Sequence, residues 1–167
     1  LSMNSDNKWV QARSALDQTE AALASQINFG LSTYANDSND CASTNRVAMG
    51  KHMAGTISGS LRNVGPSGNT PTSWALRDVR TRGWTSATND PRDAVRPKAV
   101  VLITDGRTTT CNGQGHGAAV SEVTALLNAG IRTYAVGFGR GADPGQLNDL
   151  ARSGGTGQYL RADNTAQ

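Results

Sequence analysis

The sequence predicts an α/β fold of three layers, a mostly parallel central sheet with helices on both faces. Two observations carry this expectation. Ala99 to Ile103 (AVVLI) is continuously rather than alternately apolar, the pattern of a strand covered on both sides. From Lys98 onward, strand, helix, strand, helix and strand signals follow one another, the order that parallel pairing through crossover helices requires. Composition agrees: the chain has 167 residues, 37% hydrophobic and 17% charged, enough to bury one sizeable core and too apolar for a solvated disordered segment. No apolar run approaches the roughly 20 residues of a bilayer span.

The elements follow in order. Trp9, Val10, Ala12, Leu16, Ala22 and Leu23 lie among polar residues with no Gly or Pro between Ser5 and Gln26, which predicts an amphipathic helix capped by Ser5 or Asp6. Ile27 to Tyr34 alternates and suits a strand, a polar turn covers 36–45, and Arg46 to Met49 suits a short edge strand. Met53, Ile57, Leu61 and Val64 have helical spacing despite Gly55 and Gly59. Pro71 sits at the first position of a helix from Thr72 to Arg82. Residues 83–97 read as a loop on the strength of Asn89, Asp90 and Pro91. The apolar strand ends in Thr104, Asp105 and Gly106, and a Gly-rich loop over 107–117 leads to a helix from Ala118 to Ala129 with Val120, Val123, Leu126 and Leu127 inward. Gly130 ends it, Ile131 to Phe138 forms a second buried strand, Asp143 and Pro144 start a helix through Leu147, Leu150 and Ala151, and Gly157 to Arg161 forms the last strand.

Charge and motif content narrow the function. Sixteen basic residues are scattered among thirteen acidic ones for a net charge of +3. The densest basic stretch, Arg77 to Lys98, is interrupted by Asp78, Asp90 and Asp93, the pattern of a solvated surface and not of a nucleic-acid footprint. No GxSxG elbow, paired His or P-loop is present, and Gly137, Gly139 and Gly141 lack the last Gly of a dinucleotide loop, so no enzyme is predicted. His52 and His116 stand alone. Cys41 and Cys111 both lie in polar, loop-like surroundings, which favours a disulfide between them and an oxidising compartment; two separate thiols in a cytosolic protein are the alternative. The chain opens at Leu1 with no initiator Met and no apolar signal core, as expected of a processed or partial chain.

In open α/β sheets ligands collect beyond the carboxyl ends of the strands, which is where Asp105 stands. Around it, VVLITDG (Val100 to Gly106), AAVSEVTALLNAG (Ala118 to Gly130), IRTYAVGFG (Ile131 to Gly139) and QLNDLARSGG (Gln146 to Gly155) resemble the von Willebrand factor A domain. The helix with Lys8 and Trp9, FGLSTY (Phe29 to Tyr34) and GNTPTSWAL (Gly68 to Leu76) fall in that family's order, so the resemblance runs from end to end. It implies one Rossmann-like domain over 1–167 and a metal-ion-dependent adhesion site.

In that family the site combines a DxSxS motif after the first strand, a Thr in a TPT-like loop and the Asp of the TDG strand end. Residue by residue, Thr70 matches the Thr, Asp105 the Asp, and Ser2 the second Ser; a less favoured register makes Ser2 the first Ser and puts Asn4 in the second position. The preceding Asp and Ser, and the central first strand, are then expected upstream of Leu1 or from another polypeptide. Hydroxyl and carboxylate oxygens are hard ligands suited to Mg²⁺, with Mn²⁺ or Ca²⁺ as alternatives. The implied function is adhesion or protein binding on a secreted, cell-surface or periplasmic protein of bacterial type, the metal bridging to an Asp or Glu carboxylate of the partner. The alternatives are an assembly subunit completed by a partner's strand with a vestigial metal site, and an intracellular chelatase-type module.

Overall fold

The computed structural model describes residues 7–35, 41–139 and 141–162. Its elements are α1 (Lys8–Leu23), β1 (Phe29–Tyr34), β2 (Ser43–Gly50), α2 (Thr56–Ser60), α3 (Thr72–Thr81), β3 (Lys98–Thr104), α4 (His116–Asn128), β4 (Ile131–Phe138), α5 (Pro144–Ser153) and β5 (Leu160–Ala162), with a 3₁₀ turn at Asp93–Val95. The fold is α/β, with a parallel sheet and packed helices.

β3, β4 and β5 form that sheet, in register from Lys98 opposite Ile131 to Thr104 opposite Gly137, and from Val136 opposite Leu160 to Phe138 opposite Ala162. β1 and β2 pair antiparallel in a separate two-stranded sheet, with bulges on either side of Leu31. No ladder joins β1 to β3; the Tyr34 hydroxyl instead donates to the Ile103 carbonyl at 3.2 Å. The interior position between two strands that both read as buried is therefore not filled by a strand among the described residues.

The core lies on one face of the parallel sheet. Leu102 of β3 and Ala135 of β4 pack against Leu76 of α3, Ala119, Val123 and Leu126 of α4, and Leu147, Leu150 and Ala151 of α5. In α4 the buried positions are 119, 123 and 126, one helical stripe, so Ala119 takes the central place and Val120 packs at its margin. On the other face Val101, Tyr134 and Leu160 remain exposed, which departs from the two-sided burial that the AVVLI run implies.

Several boundaries shift for local reasons. β2 is longer than the expected edge strand because Ser43 and Thr44 continue its pairing with Tyr34 and Thr33. α2 is shorter than its apolar spacing suggests and takes its start from a distant residue. Glu20 of α1 is fully buried, and its carboxylate accepts from the backbone N–H groups of Gly55, Thr56 and Ile57 at 3.0, 3.1 and 3.2 Å. A carboxylate there satisfies donors that a helix cannot pair internally.

The loop over 83–97 is held by its own acids. Asp90 accepts from Asn28 Nδ2 and the Arg92 N–H and pairs with Arg96; the Arg92 N–H, then Arg96 and Asn28, hold its carboxyl down at about 2. Asp93 accepts from the Ala87 N–H and pairs with Lys98 at 2.7 Å. Arg80 and Arg82 pair likewise with Glu122 and Asp78, so much of the basic stretch is internally neutralised.

Candidate functional site

The site is built at the carboxyl end of β3. β3 carries the chain out through the buried Thr104, and Asp105 follows with only 9% of its side chain exposed. Gly141 lets the loop after β4 close on this point, since a Cβ there would lie 2.8 Å from the Asp105 carbonyl oxygen. The loop that Asp105 opens is tied on two sides. Thr109 donates its N–H to the Thr70 carbonyl at 3.0 Å while its hydroxyl accepts from the Thr70 N–H at 2.8 Å. Thr108 N–H donates to Gln146 Oε1, and Arg107 pairs with Asp143, the N-cap of α5. The Gln146 N–H first, and Arg107 with it, hold the Asp143 carboxyl below the ordinary range.

Thr70 and the Asp105 loop are thus brought together by reciprocal hydrogen bonds. Ser2 lies outside the described residues. Cys41 and Cys111 are bonded to each other with their Cα atoms 5.5 Å apart. The bond sits on the same rim, because the Cys111 carbonyl accepts from Trp74 Nε1 of α3, the helix that Thr70 precedes.

Three groups outside the expected ligand set complete the surroundings of Asp105. Lys8, the first residue of α1, is 8% exposed and places Nζ 3.8 Å from Asp105 Oδ2. Gly139, at φ 75°, makes room for it, because a Cβ there would meet Lys8 Cε at 2.6 Å. At the end of β1, burial pushes the Tyr34 hydroxyl up to about 12; the neighbouring Thr104 and Thr72 side chains pull it down in part, and the charge of Asp105 adds to the rise. Lys8 and Tyr34 are far from Asp105 in sequence, and no local pattern around either announces the contact.

The fit to a divalent ion is tested by one atom. Asp105 Oδ2 is buried and makes no hydrogen bond; the Lys8 ammonium, at 3.8 Å, is the cation that the described residues place near it, and an oxygen without a donor is available to a metal ion. Carboxylate and hydroxyl oxygens are hard donors, suited to Mg²⁺ and its relatives. Among the described residues no three His, Cys, Asp or Glu side chains cluster.

Such a rim, on a parallel sheet with a carboxylate at a strand end and threonine loops knitted around it, belongs to an α/β domain of the open-sheet type. The chain belongs to the von Willebrand factor type A domain family, whose sequence profile matches residues 2–167. No curated protein sequence matches it. Among solved structures it is similar to proximal thread matrix protein 1 from the mussel byssus, with a TM-score of 0.70 at 18% identity over 99% of this chain and 41% of that one. A second structure of that byssus protein has a zinc-occupied metal-ion-dependent adhesion site motif, with a TM-score of 0.68 at 18% identity over 99% of this chain and 39% of that one. The pilus adhesin SpaC of Lactobacillus rhamnosus GG aligns with a TM-score of 0.69 at 16% identity, over 99% of this chain and 27% of that one. A von Willebrand factor type A protein of Catenulispora acidiphila gives 0.68 at 13% identity, over 99% and 37%. The chain therefore spans about two fifths or less of the length of these structures.

Proposed function

We propose that this chain is a non-enzymatic adhesion or protein-binding domain that holds a divalent ion, Mg²⁺ foremost with Mn²⁺ or Ca²⁺ as substitutes, and engages an acidic group of a protein partner. Asp105 and Thr70 would hold the ion, with Ser2 added by the family motif. The observation that supports this most is the buried Asp105 Oδ2 with no hydrogen-bond donor, on a loop bonded directly to Thr70. A bound ion supplies an electrophilic centre whose shell an Asp or Glu carboxylate of the partner can complete. The protein side contributes a fixed rim, set by Thr109, Gln146 and the Arg107–Asp143 pair. The zinc in the byssus protein's motif and the adhesin among the similar structures support the same reading. The disulfide supports a secreted, surface or periplasmic setting; among the described residues no helix is long and apolar enough to cross a membrane.

The test is binding of the full-length protein to an immobilised peptide rich in Asp and Glu, with Mg²⁺ and with EDTA. The expected result is retention that EDTA abolishes and that Asp105→Ala or Thr70→Ala weakens at least tenfold, with circular dichroism unchanged. Equal retention by Asp105→Ala in both buffers would reject the metal bridge.

An assembly subunit whose sheet is completed by a strand from another polypeptide, over a vestigial metal site, is the second reading. It draws on β1 and β3 lying in separate sheets and on a cavity of about 330 Å³ lined by residues near their starts, Ile27, Met49 and Ala99 among others. Addition of an apolar peptide of strand length should then raise the thermal transition, and no shift at saturating peptide would sink it.

A further inference from the structure

We propose that the Lys8 ammonium is a built-in competitor for the Asp105 site: it neutralises the carboxylate when no divalent ion is present, and ion binding is an exchange that expels it. The inference rests on Asp105 being a ligand, as proposed above, and adds how that site is regulated.

Lys8 sits where a lysine has least reason to be. Lysine is almost never buried without a partner, yet this one is 8% exposed. It is also the first residue of α1, where the helix dipole opposes a positive charge, and Asn7 before it supplies no side-chain cap. Among the described residues Asp105 is its one ionic partner, so the carboxylate is what offsets both costs.

The contact is nevertheless loose. At 3.8 Å the ammonium pairs with Oδ2 without hydrogen-bonding to it, and Oδ2 has no other donor. This is charge neutralisation by a flexible stem, with no hydrogen bond to the carboxylate to be broken when the ammonium leaves it. Gly139 is shaped to the stem, since a Cβ there would meet Lys8 Cε at 2.6 Å, so the lysine has a fitted seat beside the carboxylate.

A divalent ion on the same carboxylate would stand within a few ångströms of the ammonium. Like charges at that distance in a water-poor site repel too strongly to share one anion. Occupancy by the ion and occupancy by Lys8 are then mutually exclusive. A consequence is that the domain without metal keeps a compensated carboxylate, and metal affinity is set partly by the work of moving Lys8.

The experiment compares the wild-type full-length protein with Lys8→Met, which keeps the apolar stem and removes the charge, by calorimetric titration with Mg²⁺ and separately with Mn²⁺. The expected result is roughly tenfold tighter binding by the variant, within the usual range for coupled sites. Because the variant can fail to fold, a second measurement uses wild type alone: the rate of acetylation of Lys8 by an amine-reactive ester, mapped by mass spectrometry in EDTA and in saturating Mg²⁺. Exchange predicts protection in EDTA and faster modification with Mg²⁺. Metal binding with equal affinity in both proteins and unchanged Lys8 acetylation would overturn the exchange while leaving the metal reading intact. Absence of any Mg²⁺ or Mn²⁺ binding by either protein would overturn both.

Discussion

Replacing both cysteines, Cys41→Ala with Cys111→Ala, should lower stability by about 4 kcal/mol. The figure comes from loop closure: the bond spans a sequence separation of 70, and constraining a loop of that length in the unfolded chain gives about 4 kcal/mol in the chain-entropy model. The folded state loses little besides. Cys41 is partly exposed, and the Cys111 backbone keeps its bonds to Gln114 and to Trp74 Nε1 whatever its side chain. For a chain of this size each kcal/mol moves the transition by roughly 2–4 °C, so a fall of roughly 8–16 °C is expected in differential scanning calorimetry. Metal must be excluded with EDTA, because an ion that binds only the folded form would mask part of the loss. A fall smaller than about 3 °C would refute the reasoning, and free thiols on both cysteines in the natively produced protein would remove its biological relevance.

Two further outcomes follow from single residues. Glu20→Gln puts an amide NH₂ against backbone donors that the carboxylate now accepts, and loss of hydrogen bonds to a buried charged group should cost on the order of 3 kcal/mol in urea unfolding; a change below about 1 kcal/mol would show that α2 does not depend on this cap. Tyr34 holds its proton more tightly folded than unfolded, so its contribution is complete below about pH 10 and is lost as pH rises toward about 12; Tyr34→Phe should flatten that alkaline decline, and an identical decline in the variant would contradict the assignment.

Much of this architecture was legible because it rests on short-range pattern. The AVVLI run, the Gly130 stop and the Asp143–Pro144 start each act within one element, and the structure places β3, α4, β4 and α5 where those signals stand. Asp105 is legible for a topological reason, being the charged residue that follows a continuously apolar strand. What was not legible depends on distant groups. Nothing near Glu20 announces that it caps a helix 35 residues on, since a lone glutamate on a helix usually faces water. Lys8 likewise reads as a solvated residue until the chain brings Asp105 and Gly139 over it. Val101 is exposed although its run is continuously apolar, because continuous apolarity reports that a strand can be covered on both faces, not what covers it.

The most direct test of the central claim is a crystal of the full-length protein soaked in Mn²⁺ and measured at the manganese absorption edge. The account predicts one strong anomalous peak beside the Asp105 carboxylate and the Thr70 hydroxyl, with the Lys8 ammonium withdrawn from Oδ2. Saturating Mn²⁺ that yields no peak at Asp105, or a peak elsewhere on the chain with Lys8 still seated on the carboxylate, would contradict it.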